Sequence, residues 1–207
     1  GVHIMKRNIY DFDKTIYKGD STYDFYRFCL NRRPVILVEI PVVFLYAILF
    51  TLRLCSITVF KEKFFRFLSH LDSVDELVTE FWEANREKIA DFYRTGSRED
   101  DVVISASPEF LLRPVCRILK IDNLIASRVD KNTGLYDGEN CWGEEKLKRL
   151  REELPDVSVG VFYSDSISDA PLAGAAEKAF IVQHDRLIPW EDYRPPFSVR
   201  MKMKFRA

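Results

Sequence analysis

Five short apolar runs constrain the fold of this chain more than any other feature. They are Arg7–Asp11, Val102–Ser105, Leu124–Ser127, Val157–Tyr163 and Ala179–Val182. Each has strand length, and helical stretches separate most of them. Parallel neighbours need crossover connections, usually helical, so the alternation predicts an α/β chain with a parallel sheet. Two of the runs end in paired carboxylates. The first enters Asp11-Phe12-Asp13-Lys14-Thr15, and the fourth leads to Asp165 and, four residues on, Asp169. Alternation along an extended strand sends Asp11 and Asp13 to one side and Phe12 to the other. Open α/β sheets present ligands at the carboxyl edges of their strands. Two carboxylates followed by a hydroxyl at such an edge suit a hard cation and phosphoryl chemistry.

Residues 18–98 break the alternation and read as helices throughout, so they are expected to form an inserted helical cap. The core would then be 1–17 and 99–207. Within the insertion, Ser73-Val74-Asp75-Glu76 has the spacing of a capping box, and Leu77, Val78, Phe81, Trp82, Ile89, Phe92 and Tyr93 follow as a packing stripe. After the second run, Ser107 is placed to cap a helix with Pro108 in its first turn and Leu111, Val115, Ile118 and Leu119 as its stripe. Thr133–Gly138 reads as a hairpin or extended loop, Cys141–Lys146 opens a basic helix, and 169–178 is a short helix.

Composition excludes several classes. A net charge of −1 gives no reason to expect nucleic acid as a partner. Four cysteines without paired spacing and three histidines argue against a disulfide framework and a zinc site, and favour a reducing compartment. The polar start enters the first strand almost at once, with Met5 read as the natural start and no secretory leader.

Taken in order, Asp11-Phe12-Asp13, the run ending in Ser105, the helix of Lys146 and the Asp165/Asp169 pair resemble the haloacid dehalogenase superfamily. The resemblance is to the branch that includes phosphoserine phosphatase, over about Arg7 to Gln183. It implies a Rossmann-like doubly wound parallel sheet with a helical cap serving as a lid. It further implies a Mg²⁺-dependent phosphomonoesterase acting through an aspartyl-phosphate, with a phosphotransferase or mutase, or a non-catalytic phosphate-binding relative, as alternatives. By the same resemblance Asp11 is the nucleophile and Asp13 the general acid and base. Mg²⁺ would sit between Asp11, the backbone carbonyl of Asp13 and Asp165. Asp169 would hold a metal-bound water or orient Lys146. Ser105, with backbone N–H groups near Ala106, would bind the phosphate, and Lys146 would offset its charge. Thr15 would fix the loop after the first strand or touch substrate. Lys14 stands where many relatives have glycine.

Pro34–Leu52 spans 19 residues with Glu39 as its only charge, close to the length of a membrane span. One crossing would separate Asp11 from Ser105 across a bilayer, and Pro41 interrupts the run. Burial within the cap is the first expectation; an oligomer contact and a membrane interface stay open. The tail 194–207 carries five basic residues and no acid, suited to anionic lipid beside such a segment. Arg32-Arg33-Pro34, Ser105-Ala106-Ser107-Pro108 and Tyr163-Ser164-Asp165-Ser166 also resemble, more loosely, the membrane-associated phosphatidylglycerophosphate phosphatases of the same superfamily. The expected substrate is therefore a small phosphorylated metabolite or a phospholipid head group. The expected location is the cytoplasm or the inner face of its membrane.

Overall fold

The computed structural model describes residues 4–96 and 100–195. Six strands form one sheet: β1 (Met5–Tyr10), β2 (Val102–Pro108), β3 (Asn123–Ser127), β4 (Val157–Ser164), β5 (Lys178–Gln183) and β6 (Arg186–Pro189). Their order is β3-β2-β1-β4-β5-β6, parallel except for the last pair. The chain winds outward from β1 through β2 to β3, then returns to the other side of β1 as β4. That reversal puts a switch point between β1 and β4, where ligands bind in such sheets.

Side chains alternate between two apolar layers, as the pleat requires. Ile9, Val102, Ile104 and Phe162 face one layer, closed by Leu150 of α7 (Glu144–Glu153) and Leu172 of α8 (Ala170–Ala175). Tyr10 and Val103 face the other. There they meet α6 (Glu109–Ile118) and a helical insertion between β1 and β2, comprising α1 (Ser21–Arg32), α2 (Ile40–Thr51), α3 (Ile57–Phe65), α4 (Val74–Asn85) and α5 (Asp91–Gly96). Trp82 of α4 is fully buried and donates from Nε1 to the Leu111 carbonyl at 2.6 Å, joining insertion to core. The doubly wound α/β architecture is thus as expected.

Four local expectations are corrected. β6 was unforeseen; it is reached by a two-residue turn at His184 and Asp185, both with positive φ. Ser107 is the penultimate residue of β2 rather than a helix cap, its hydroxyl being engaged by Asp13. Ser73 precedes α4 without a side-chain cap bond. The largest correction concerns 34–52. It breaks as foreseen, Pro34–Glu39 forming 3₁₀ turns and α2 starting at Ile40 with Pro41 in its first turn. It is not buried in the insertion, however: Pro34–Thr51 has a mean hydropathy of 2.2 and is only 11% buried. Most of the basic tail lies outside the described residues.

Candidate active site

Strand β1 ends at Tyr10, so Asp11 and Asp13 stand in the turn that follows it. The Asp11 amide still donates to the Tyr163 carbonyl of β4 at 2.8 Å, which holds the turn at the sheet edge. Lys14 then takes a positive φ of 55°, folding the turn back. Asp11 and Asp13 line one cleft of about 190 Å³ together with Ser105, Ala106, Lys146, Asp165 and Asp169. Phe12 points away into the core with no exposure. Seven of the eight residues singled out from sequence thus converge, from β1, β2, α7 and the end of β4.

The eighth is Thr15. It lines a neighbouring cavity of about 430 Å³, which shares Lys14 and Asp165 with the cleft and also takes in His184. Its hydroxyl is buried without a hydrogen-bond partner.

Lys146 is the electrostatic centre. It is 2% exposed, and its ammonium donates to Asp11 Oδ1 at 2.9 Å and to Asp169 Oδ2 at 2.7 Å. Burial works against its charge, but the Asp11 and Asp169 carboxylates outweigh that and hold it above the usual lysine range. Asp169 Oδ2 also accepts from Ser164 Oγ at 2.7 Å, which orients it toward the lysine. Its Oδ1 is buried and unpartnered.

The carboxyls of Asp11 and Asp165 are both pushed up, chiefly by burial. Lys146 opposes the rise at Asp11, Lys14 opposes it at Asp165, and Asp169 adds to both. Asp13 is raised by burial and by Asp20. Its Oδ1 accepts from the Ser21 amide at 2.7 Å and its Oδ2 from Ser107 Oγ. Ser107 Oγ in turn meets Ser21 Oγ at 3.2 Å and Thr22 Oγ1 at 2.9 Å. Ser105 Oγ accepts from the Ser107 amide at 3.1 Å, and its own proton can go to a ligand.

Magnesium keeps several waters and takes one or two carboxylates plus ligand oxygens. Asp11, Asp165 and the main-chain carbonyl of Asp13 meet that modest demand. Among the described residues no three His, Cys, Asp or Glu side chains cluster as a metal-ligand group. Hard carboxylate and carbonyl oxygens of this kind fit a cation such as Mg²⁺. Two buried carboxyls raised by burial in one cleft are what a divalent cation would restore to charge.

Two contributions escaped the sequence reading. Lys61 of α3 reaches the rim of the cleft, donating to the Ala106 carbonyl at 3.0 Å and to Asn140 Oδ1 at 2.8 Å. Desolvation of its ammonium lowers its pKa to about 8, against which Asp13 and Asp20 act. Ser21 and Thr22 of α1 are the other contribution. Neither carries a local signal: Lys61 meets Ala106 and Asn140, 45 and 79 positions away, and the Ser21 and Thr22 hydroxyls meet Ser107, 86 and 85 positions away.

Residues 9–174 match the family model of the haloacid dehalogenase-like hydrolases. A probable phosphatase of Mycobacterium tuberculosis is 36% identical over 94 residues, 42% of this chain and 33% of that one. The match thus spans about a third of that relative's length. A protein of unknown function from Bordetella pertussis Tohama I superposes with a TM-score of 0.67 at 19% identity, over 97% of this chain and 95% of that one. A phosphoserine phosphohydrolase-like protein from Francisella tularensis does so with a TM-score of 0.54 at 19% identity, over 86% and 87%. At these identities the two structures share its fold.

Proposed function

The chain belongs to the haloacid dehalogenase-like hydrolases, and on that premise we propose that it is a Mg²⁺-dependent phosphomonoester hydrolase acting through an aspartyl-phosphate on Asp11. One observation carries this reading: the buried Lys146 ammonium, 2.9 Å from Asp11 Oδ1, in a cleft that Asp13, Ser105 and Asp165 also line. A phosphate monoester resists an anionic nucleophile until its charge is offset, so positioning and electrostatics supply most of the catalysis.

Asp11 attacks phosphorus as the ester P–O bond breaks, and Asp13 gives its proton to the departing oxygen. Burial favours the protonated form of Asp13 that this step needs. Asp13, now a carboxylate, takes a proton from water, and the resulting hydroxide releases phosphate and restores Asp11. Lys146 and the Ser105 hydroxyl hold the phosphoryl oxygens. Mg²⁺, held by Asp11, Asp165 and the carbonyl of Asp13, would neutralise charge on the transferring group. The helical insertion acts as the cap, bringing Lys61 to the rim where the alcohol portion of the ester leaves. The substrate class is a small phosphorylated metabolite or a phospholipid head group.

Phosphate release with Mg²⁺, measured over soluble esters and lipid phosphates, tests the reading. Turnover should vanish with a chelator, and Asp11→Asn should lower kcat by roughly 10³-fold or more. Undiminished release by Asp11→Asn would remove Asp11 as nucleophile. Ester consumption without free phosphate would favour transfer to another acceptor.

A further inference from the structure

Helix α2 breaks the rule that soluble helices hide their apolar side chains. None of its twelve residues is buried, and Phe44 is 67% exposed. Just beyond it, Leu52 and Leu54 are 60% and 70% exposed around Arg53, which has a positive φ. The one charge of the run, Glu39, is turned inward, held by Arg66 Nε at 3.1 Å and His70 Nε2 at 2.9 Å. What faces outward is therefore an uncharged apolar surface. An apolar groove of about 290 Å³ continues it between α2 and the aromatic rings of Tyr26, Phe64 and Phe67.

The flanking sequence is basic. Residues 27–66 include seven basic and two acidic side chains, of which Lys61 turns to the active-site cleft and Arg66 holds Glu39. Arg32, Arg33 and Arg53 bracket the apolar run at its two ends. Arg32 and Arg33 form exposed pairs with Glu80 and Asp72, which hold such side chains only weakly.

We propose that the α2–α3 hairpin docks this protein on an anionic lipid bilayer, with Phe44, Leu52 and Leu54 entering the headgroup–acyl boundary. A crossing is excluded by the fold. The chain enters α2 from α1 and returns through α3, and Asp11 before the run shares one cleft with Ser105 after it. The segment therefore lies in the interface instead of spanning it. A second copy of this chain would cover one side and would bring a second positive rim against the first. Anionic lipid satisfies both the apolar surface and the charge around it. Docking is independent of the catalytic reading, since flotation measures one and release from a soluble ester the other.

Flotation with vesicles of equal parts phosphatidylcholine and phosphatidylglycerol tests the proposal. The wild-type chain should float, and raised salt or pure phosphatidylcholine should weaken its binding. The double variant Leu52→Glu/Leu54→Glu should lose its vesicle-bound fraction by about tenfold or more. Circular dichroism and Tm should match wild type, because both leucines are solvent-exposed. Equal flotation of variant and wild type would overturn the proposal. A wild-type chain left at the bottom of the gradient would overturn it too, whether sedimentation finds a monomer or a dimer that the variant dissociates. The dimer result would assign the surface to a second copy.

Discussion

Helices α2 and α4 are each twelve residues long and belong to the same insertion, yet they meet opposite fates. Helix α4 buries Val74, Val78, Phe81 and Trp82, at a spacing that puts them on one face, and turns its acids outward. Helix α2 is far more apolar and buries nothing. Amount of hydrophobicity does not decide burial; arrangement does. A stripe gives a helix one face to pack and another to leave in water, so a core can close over it. A helix without a polar face would have to be covered on every side, and an insertion of this size has no second layer to supply.

Four measurements break or sharpen this contrast. Trp82→Ala removes a buried ring and its bond to the Leu111 carbonyl, so urea unfolding should show a loss of about 3–5 kcal/mol. Lys61 ties α3 to the site at a cost in charge burial. Its fall from 10.5 to about 8 corresponds to about 3 kcal/mol of strain on the native state at neutral pH. Between those two values the native chain has shed a proton that the unfolded chain retains, so stability rises with pH across that window. Lys61→Met should flatten the rise, as read by urea unfolding on either side of the window. Ser107→Ala removes the hydroxyl linking Asp13 to α1, and kcat should fall about tenfold with KM little changed. Leu54→Ala, at the exposed end of the hairpin, should shift stability by less than about 0.5 kcal/mol. A loss comparable with that of Trp82→Ala would mean α2 packs as α4 does.

Much of the site was legible because it is local. Asp11 and Asp13 follow one strand within three residues, Asp165 and Asp169 follow another, and such pairs show in any linear reading. Ser107 shows the limit. Beside Pro108 it had the look of a helix cap, but the Asp13 carboxylate from the turn after β1 engages its hydroxyl instead. Strand β6 was missed because its turn, His184-Asp185, adopts positive φ without the glycine or asparagine that usually announces one. Lys61 was one lysine among several on an amphipathic stretch until α3 was laid over β2.

Alternating apolar runs and their terminal acids, both short-range patterns, were enough to determine a parallel α/β sheet and the acids at its edge. The resemblance they carry supplied Ser105, Ala106 and Lys146, while the strand order and its switch point came from the structure. Only the tertiary structure decided which helix of the insertion is covered and which is bare, and which hydroxyl reaches Asp13. Burial and hydrogen bonding depend on what other segments bring alongside, and proximity between residues far apart in the chain leaves no mark in their order.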